Sequence, residues 1–395
     1  MQNRVVITGY DIMCILGNDK DEVKQSLYHG DMNFISLDDE KYSDFGNVKV
    51  GKICEYSNEV EDCNSYDKSE IMARKVIDAT LKDAGITKDY FSQLGSKAAM
   101  SLATSIMGSD YIQKYVSTGK KELSWLLKAK SFPSRLMKEY NIRGGCYTTS
   151  SACSSGTAGF GIAYDLVKSG RANCVLIGGV DHISDISLFG FHSLDTLSHN
   201  ICKPFDQQRD GINIGEGCAF FILEDYDSAI KRNAHIYAEV VGYGLGNDAY
   251  HITSPDPEGI GAQYTMKMAL KEANYNYDEP IYVNAHGTGT RANDSMELLA
   301  IQDVFHNNLD QVYISSTKSM TGHCLGAAGC IEGALSLIIL GTGMIPKTCN
   351  SETDLLEQHN LNKHLEQVKQ LNYVISNSFA FGGNDASVVF KKIVQ

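Results

Sequence analysis

The chain has 395 residues, 43% hydrophobic and 21% charged, with a formal net charge of −13. That length allows a large buried core and roughly two or three domain-sized units, and the acidic balance argues against non-specific binding to nucleic acid or an anionic membrane. Eleven cysteines form no CxxC pair and no regular framework, so the expectation is a soluble, reduced, cytoplasmic protein without a structural metal or a disulfide scaffold.

In chain order, MQNRVVITGYDIM lacks the basic-then-apolar layout of a signal peptide, and RVVITG at 4–9 reads as a buried strand. SEIMARKVIDATLKDAG at 69–85 is apolar at helical spacing and is closed by Gly85. CVLIGG at 174–179, IYVNAHG at 281–287 and YVISNS at 373–378 read as further buried strands, each ending in a turn or a polar site. ALSLIIL at 334–340 is the longest strongly apolar run, well short of the ~20 residues that a membrane span needs. TCNSETDLLEQHNLNKHLEQVKQ at 348–370 predicts a surface excursion. Strands alternating with helices predict an α/β fold. A faint echo divides it into residues 1–235, with a Cys-bearing junction, and 236–395, with His-bearing loops. Facing halves would bring loops of both into one cleft.

Four short motifs could carry chemistry. TTSSACSSGTAG at 148–159 places Cys153 among small residues where an extended run turns into a helix. Orphan N–H groups and the dipole at a helix start favour a thiolate, and small neighbours admit a bulky thioester; a buried apolar cysteine in a tight turn is the alternative. NAHGTGTRAND at 284–294 projects His286 from a strand end, with Thr288 and Thr290 offering hydroxyls to a polar ligand. It lacks the spacing of a phosphate loop, and a histidine satisfied by backbone is its plain reading. SSTKSMTGHCLGAAG at 315–329 leads Lys318 and His323 into a Gly/Ala-rich segment. A buried ammonium there needs a counter-charge, for which Glu332 is the candidate, in a structural or a functional pair. NSFAFGGNDAS at 377–387 puts two glycines between β runs, as a hairpin turn or as a turn whose N–H groups meet a ligand.

Taken together and in this order, the motifs resemble the elongating β-ketoacyl-acyl-carrier-protein synthases of discrete fatty-acid and polyketide systems. KPFDQQRDGINIGEG at 203–217 and NDAYHITSP at 247–255 extend the likeness over essentially the whole chain. The resemblance implies a thiolase-like fold, a duplicated αβαβα layered arrangement, acting as a dimer. It implies that Cys153 accepts the acyl chain as a thioester, while His286 and His323 promote malonyl decarboxylation and hold the enolate. Lys318, with Glu332, would set the electrostatics at His323. The N–H groups of Cys153 and Phe381 would form the oxyanion hole, the Phe381 ring would gate acyl access, and Thr288 and Thr290 would hold a phosphopantetheine arm. That arm belongs to the acyl-carrier protein, and no intrinsic cofactor is implied.

Two histidines separate this pattern from initiating ketosynthases, which use His and Asn, and from thiolases, which use a second cysteine; Cys324 matches no thiolase motif. The resemblance leaves open a homodimer or a heterodimer with a cysteine-less, chain-length-factor type of subunit. A non-catalytic acyl-binding scaffold on the same fold is the rival from another class, although Cys153 and both histidines are kept. Ala380 stands where many relatives carry glycine, Asn384-Asp385 replaces the frequent Thr-Asn, and Met107 occupies a position near the acyl tunnel often held by glycine. An acidic carrier would need a local basic patch on this acidic chain. Lys68, Arg74, Lys75, Lys128, Lys130 and Arg209 are the candidates, with solvated helix faces as the alternative.

Overall fold

The computed structural model describes residues 3–53, 68–106, 108–119, 131–353, 355 and 361–393. Apolar, β-branched runs form the ten strands of one mixed sheet. These are β1 (Val5–Cys14), β2 (Ala98–Ala103), β3 (Cys146–Thr149), β4 (Cys174–Asp181) and β5 (Gly217–Asp225). The later strands are β6 (Ala238–Asn247), β7 (Ile281–Asn284), β8 (Val312–Ser315), β9 (Tyr373–Ala380) and β10 (Asn384–Lys391). β1 runs five residues beyond the expected RVVITG, through a bulge between Ile7 and Gly9. Its one carboxylate, Asp11, accepts the Ile12 and Lys20 N–H groups at 2.9 and 2.8 Å, so the polar residue fits a fully buried strand.

The sheet order is β8-β7-β9-β10-β6-β1-β5-β4-β2-β3. The same pairing pattern occurs twice. In the first half β1 pairs antiparallel with β5, β5 antiparallel with β4, β4 parallel with β2, and β2 parallel with β3. In the second half β6, β10, β9, β7 and β8 repeat each step in the same sense. A short antiparallel contact, Val5–Ile7 against Ala238–Val240, joins the two.

The helices used below are α1 (Lys68–Asp83), α2 (Ser155–Lys168), α3 (Asp185–Ser193), α4 (Ile260–Glu272), α5 (Arg291–Phe305) and α6 (Ala328–Thr342). α1 covers β1 and β5 from outside, and α4 covers β6 and β10. α2 and α6 lie between the halves, since α2 touches β4 and β6 and α6 touches β9 and β1. This is the five-layered αβαβα arrangement. The central pair can approach closely because the second residue of each is a glycine: a Cβ on Gly156 would lie 2.5 Å from Cys330 N, and one on Gly329 would lie 2.3 Å from Thr157 Oγ1. Leu325–Thr342 has a mean hydropathy of 1.7 over 18 residues, but 89% of it is buried inside the protein as this core helix. The described cysteines are free thiols, among them Cys14, Cys153, Cys218, Cys324 and Cys330.

Candidate active site

Two matching strand-to-helix junctions meet between the halves. After β3, Ala152 takes φ +51 and opens a 3-10 turn, Ala152–Ser154, that carries Cys153 into α2. After β8, Leu325 takes φ +52 and opens a 3-10 turn, Leu325–Ala327, that feeds α6. Left-handed backbone on non-glycine residues is costly and persists where the surroundings hold it. Here Ser155 Oγ donates to Ala152 O at 2.6 Å, and Asp181, at the end of β4, accepts the Gly326 N–H at 2.7 Å. Asp181 also accepts Thr104 Oγ1 at 2.6 Å and the Ser105 N–H at 2.9 Å, so one buried carboxyl ties the second junction to the loop after β2, and Ser105 Oγ of that loop donates to Ala152 O of the first at 3.2 Å.

Cys153, His286 and His323 converge at the base of a cleft of about 240 Å³. His323 Nε2 lies 3.0 Å from Cys153 Sγ, and the sulfur and one ring nitrogen of each histidine fall within 4.8 Å of one another. The two imidazoles meet edge to face, with centroids 5.4 Å apart. The N–H groups of Cys153 and Phe381 both point at the sulfur. Thr288 and Thr290 line the outer wall with their hydroxyls 2.9 Å apart.

Lys318 and Glu332 form an ion pair in which both side chains are at most 2% exposed. Burial lifts the Glu332 carboxyl above its ordinary range, against the pull of Lys318. Burial, then the Lys318 charge, hold both His286 and His323 well below the ordinary imidazole value of 6.5, so both are neutral. Neither Nδ1 has a hydrogen-bond partner among the described residues, so the contact that bears on the His323 tautomer is the one its Nε2 makes with the Cys153 sulfur.

Cys153 departs from the expectation of a thiolate. Burial pushes its thiol up to about 11, and the Lys318 charge and the two N–H groups oppose this only in part. The N–H groups and the lysine favour the anion, but desolvation outweighs them. The resting group is a thiol with a base at hydrogen-bond distance.

Two carboxylates escaped the reading of the sequence. Glu297, on α5, accepts the N–H groups of His286 and Gly287, each at 2.7 Å; Asp294 accepts those of Thr288 at 3.1 Å and Gly289 at 3.2 Å. They fix the loop that presents His286. Acids three apart in the first two turns of the helix that follows Gly-Thr-Gly-Thr, Arg291–Phe305, were the available signal.

The candidate basic patch is only partly at the surface. Lys68 is buried against Glu216, which also accepts the Ile53 N–H at 2.6 Å. Arg209 is buried too, donating to the carbonyls of Asp206, Thr290 and Arg291. Both are spent on neighbours inside the protein, because a buried cation requires partners. Arg74 pairs with Glu70 and Glu139 at 17% side-chain exposure, and Lys75 is half-buried on the same helix. Lys128, Lys130 and Met107 lie outside the described residues. Ala380 sits at φ −116, ψ 155, where a Cβ costs nothing, while Gly382 and Gly383 take φ +82 and +69 in the turn that follows. The Phe381 ring stacks on Phe191 of α3 with centroids 5.7 Å apart.

A duplicated αβαβα frame holding a thiol and two neutral imidazoles between its halves defines a class, the thiolase-like condensing enzymes. The chain belongs to the β-ketoacyl synthase family: its N-terminal domain model matches residues 2–229 and its C-terminal domain model residues 237–352. The 3-oxoacyl-[acyl-carrier-protein] synthase 2 of Vibrio harveyi is 31% identical over the full length of both chains. Among solved structures, a type II polyketide ketosynthase in complex with its acyl-carrier protein superposes with a TM-score of 0.91 at 25% identity, covering both chains completely. The ishigamide ketosynthase/chain length factor superposes with a TM-score of 0.89 at 26% identity, again over both full lengths.

Proposed function

We propose that this protein condenses an acyl thioester with malonyl-acyl-carrier protein, with loss of CO2, to give β-ketoacyl-acyl-carrier protein in fatty-acid or polyketide and polyene chain elongation. The observation that carries the reading is the contact of Cys153 Sγ with His323 Nε2 at 3.0 Å, under the two N–H groups and beside His286.

In this reading the Cys153 proton passes to His323 Nε2 as sulfur attacks the acyl carbonyl, so a stable thiolate is not required. The N–H groups of Cys153 and Phe381 hold the tetrahedral oxyanion. The carrier thiol leaves with the proton. In the second half-reaction the malonyl C–COO⁻ bond breaks, CO2 departs, and its electron pair becomes an enolate on the thioester oxygen. Neutral His286 and His323 donate to that oxygen without protonating the carbon. The enolate carbon then attacks the acyl group on Cys153, the new C–C bond forms, and the sulfur leaves as a thiolate that takes a proton from water to restore the thiol. Thr288 and Thr290 stand where they could bind the amides of a phosphopantetheine arm, and the Phe381 ring, on Phe191, is the candidate gate. The repeated strand pairing supports a division into halves 1–235 and 236–395.

The test is intact-protein mass after mixing the purified chain with a panel of acyl-carrier-protein thioesters, beside Cys153→Ala. One acyl increment, absent from the variant, is the expected result; no increment with any chain length overturns the reading for the chain alone. A heterodimer is the second reading, favoured by the likeness to a ketosynthase/chain length factor, and the same panel with a candidate partner subunit separates the two.

A further inference from the structure

At the start of β10, Asp385 is 3% exposed and its Oδ2 has no hydrogen-bond partner among the described residues. A buried carboxylate oxygen without a donor is costly. Its neighbour is a second carboxyl. Asp248, just after β6, reaches the same point above Gly261: a Cβ placed there would lie 2.3 Å from Asp248 Oδ1 and 2.4 Å from Asp385 Oδ2. The two side chains are hydrogen-bond neighbours, and carboxylate oxygens so placed cannot both stay ionised out of water. Asp248 already accepts the Asp256 N–H at its other oxygen, at 3.1 Å. One shared proton satisfies the pair, with Asp385 as donor.

The groups that bear on Asp385 are named from each side. Asp248 comes from the loop after β6 and Glu297 from α5, both acidic; the Ala380 N–H, from β9, donates to it in opposition. Both aspartates line the cleft whose base holds Cys153, His286 and His323. Burial, then Asp248, raise the Asp385 carboxyl to about 9.

This pair lies across two loops that already grip each other. Asp248 N donates to Gly383 O at 2.9 Å, Gly382 N to Ile252 O at 2.8 Å, and Asn247 Nδ2 to Gly382 O at 2.9 Å. Between Ala380 and Gly382 sits Phe381, whose N–H points at the Cys153 sulfur.

We propose that Asp385 is a positioning residue: carrying a proton, it donates to Asp248, and this carboxylic acid–carboxylate clamp holds the Phe381–Gly383 turn on the 247–256 loop with the Phe381 N–H aimed into the cleft. Loss of that proton sets a buried negative charge against a partly buried one beside it, and the turn lifts from its place. The inference rests on the proposed acyl transfer to Cys153. It makes acyl loading sensitive to alkali through a group that touches neither sulfur nor acyl chain.

Two measurements test it on the full chain. The first is the rate of acyl transfer from an acyl-carrier-protein thioester, followed by intact mass from pH 7 to 10, for the natural chain, Asp385→Asn and Asp385→Ala. Asparagine donates the same hydrogen bond without titrating. The ratio of the Asn variant's rate to the natural rate is therefore flat to about pH 8 and climbs about 10-fold one pH unit above the pair's titration, while Ala is slow throughout. A ratio that stays flat overturns the clamp. The second is the urea midpoint of the natural chain and Asp385→Asn from pH 5 to 10. An unfolded aspartate releases its proton near 4 and this one near 9, so the native state holds the extra proton in that window and stability falls as pH rises through it. The Asn variant's advantage grows from pH 5 to 9 and then levels; a constant gap overturns the shared proton. If no chain loads an acyl group at any pH, the acyl-transfer reading fails, and the urea series still decides the proton.

Discussion

Lys318 and Glu332 are opposite charges enclosed together, and their energetics separate structure from chemistry. Removing one partner strands the other, which costs about 3–5 kcal/mol, whereas replacing both by apolar groups of similar size is close to neutral. Lys318→Ala should therefore lower both stability and condensation. Lys318→Met with Glu332→Leu should recover most of the stability, read by urea unfolding, but not the rate, because the positive charge that adds to burial in lowering both imidazoles and that faces the Cys153 sulfur is gone. A double variant as active as the natural chain would assign the pair a structural role alone. The histidines make a second residue-level prediction. Their native values lie well below 6.5, so the unfolded chain binds the extra protons, and stability falls as pH drops below 6.5. His286→Gln should flatten that acid loss in an unfolding series between pH 4 and 7, while the natural acyl-loading rate shows no titration near 6.5.

Between elements, the decisive contact is the crossing of α2 and α6 at their first turns. Gly156 and Gly329 leave no room for a methyl group, and the obstructing atom at Gly156 is backbone. Gly156→Ala should cost about 1–3 kcal/mol by overpacking, and it should widen the Cys153–His323 contact because both residues ride on the junctions that feed these helices. The expected signature is slower reaction of Cys153 with a small alkylating thiol reagent at pH 7, with the urea midpoint lowered; an unchanged reaction rate would uncouple the crossing from the site. The hairpin of β9 and β10 works differently. Its paired glycines take the left-handed backbone that the turn needs, and the residues on either side, Ala380 and Asp385, keep extended strand geometry. The substitution of Ala for a frequent glycine is therefore absorbed without strain. That of Asp for a frequent asparagine is not neutral, because it places a carboxyl opposite Asp248.

For the whole molecule, β3 ends the sheet as an edge strand with Cys146 and Tyr147 exposed, its outer row of backbone groups without a strand partner among the described residues, an edge that natural proteins ordinarily cover. A dimer would cover it. Native mass spectrometry of the purified chain should show the mass of two copies; a single-copy mass that grows only on adding a ketosynthase-like partner would establish the heterodimer instead. Much of this architecture is legible in the chain itself. RVVITG, CVLIGG, IYVNAHG and YVISNS are strands because short β-branched runs can do little else, and the four motifs lie at the strand ends where their turn residues put them. Local chemistry by itself thus determined the element types, while the order of the four motifs, through the family they resemble, pointed to the residues that converge on one cleft. The tertiary structure alone decided their states: that Cys153 rests as a thiol, that Lys68 and Arg209 are consumed inside, that Glu297 and Asp294 hold the His286 loop, and that Asp385 faces Asp248. Each of these depends on desolvation and on groups brought together by folding, for Cys153, Lys68 and Asp385 from more than a hundred residues away, and the electrostatic cost of burial is a property of the packed interior rather than of neighbours along the chain.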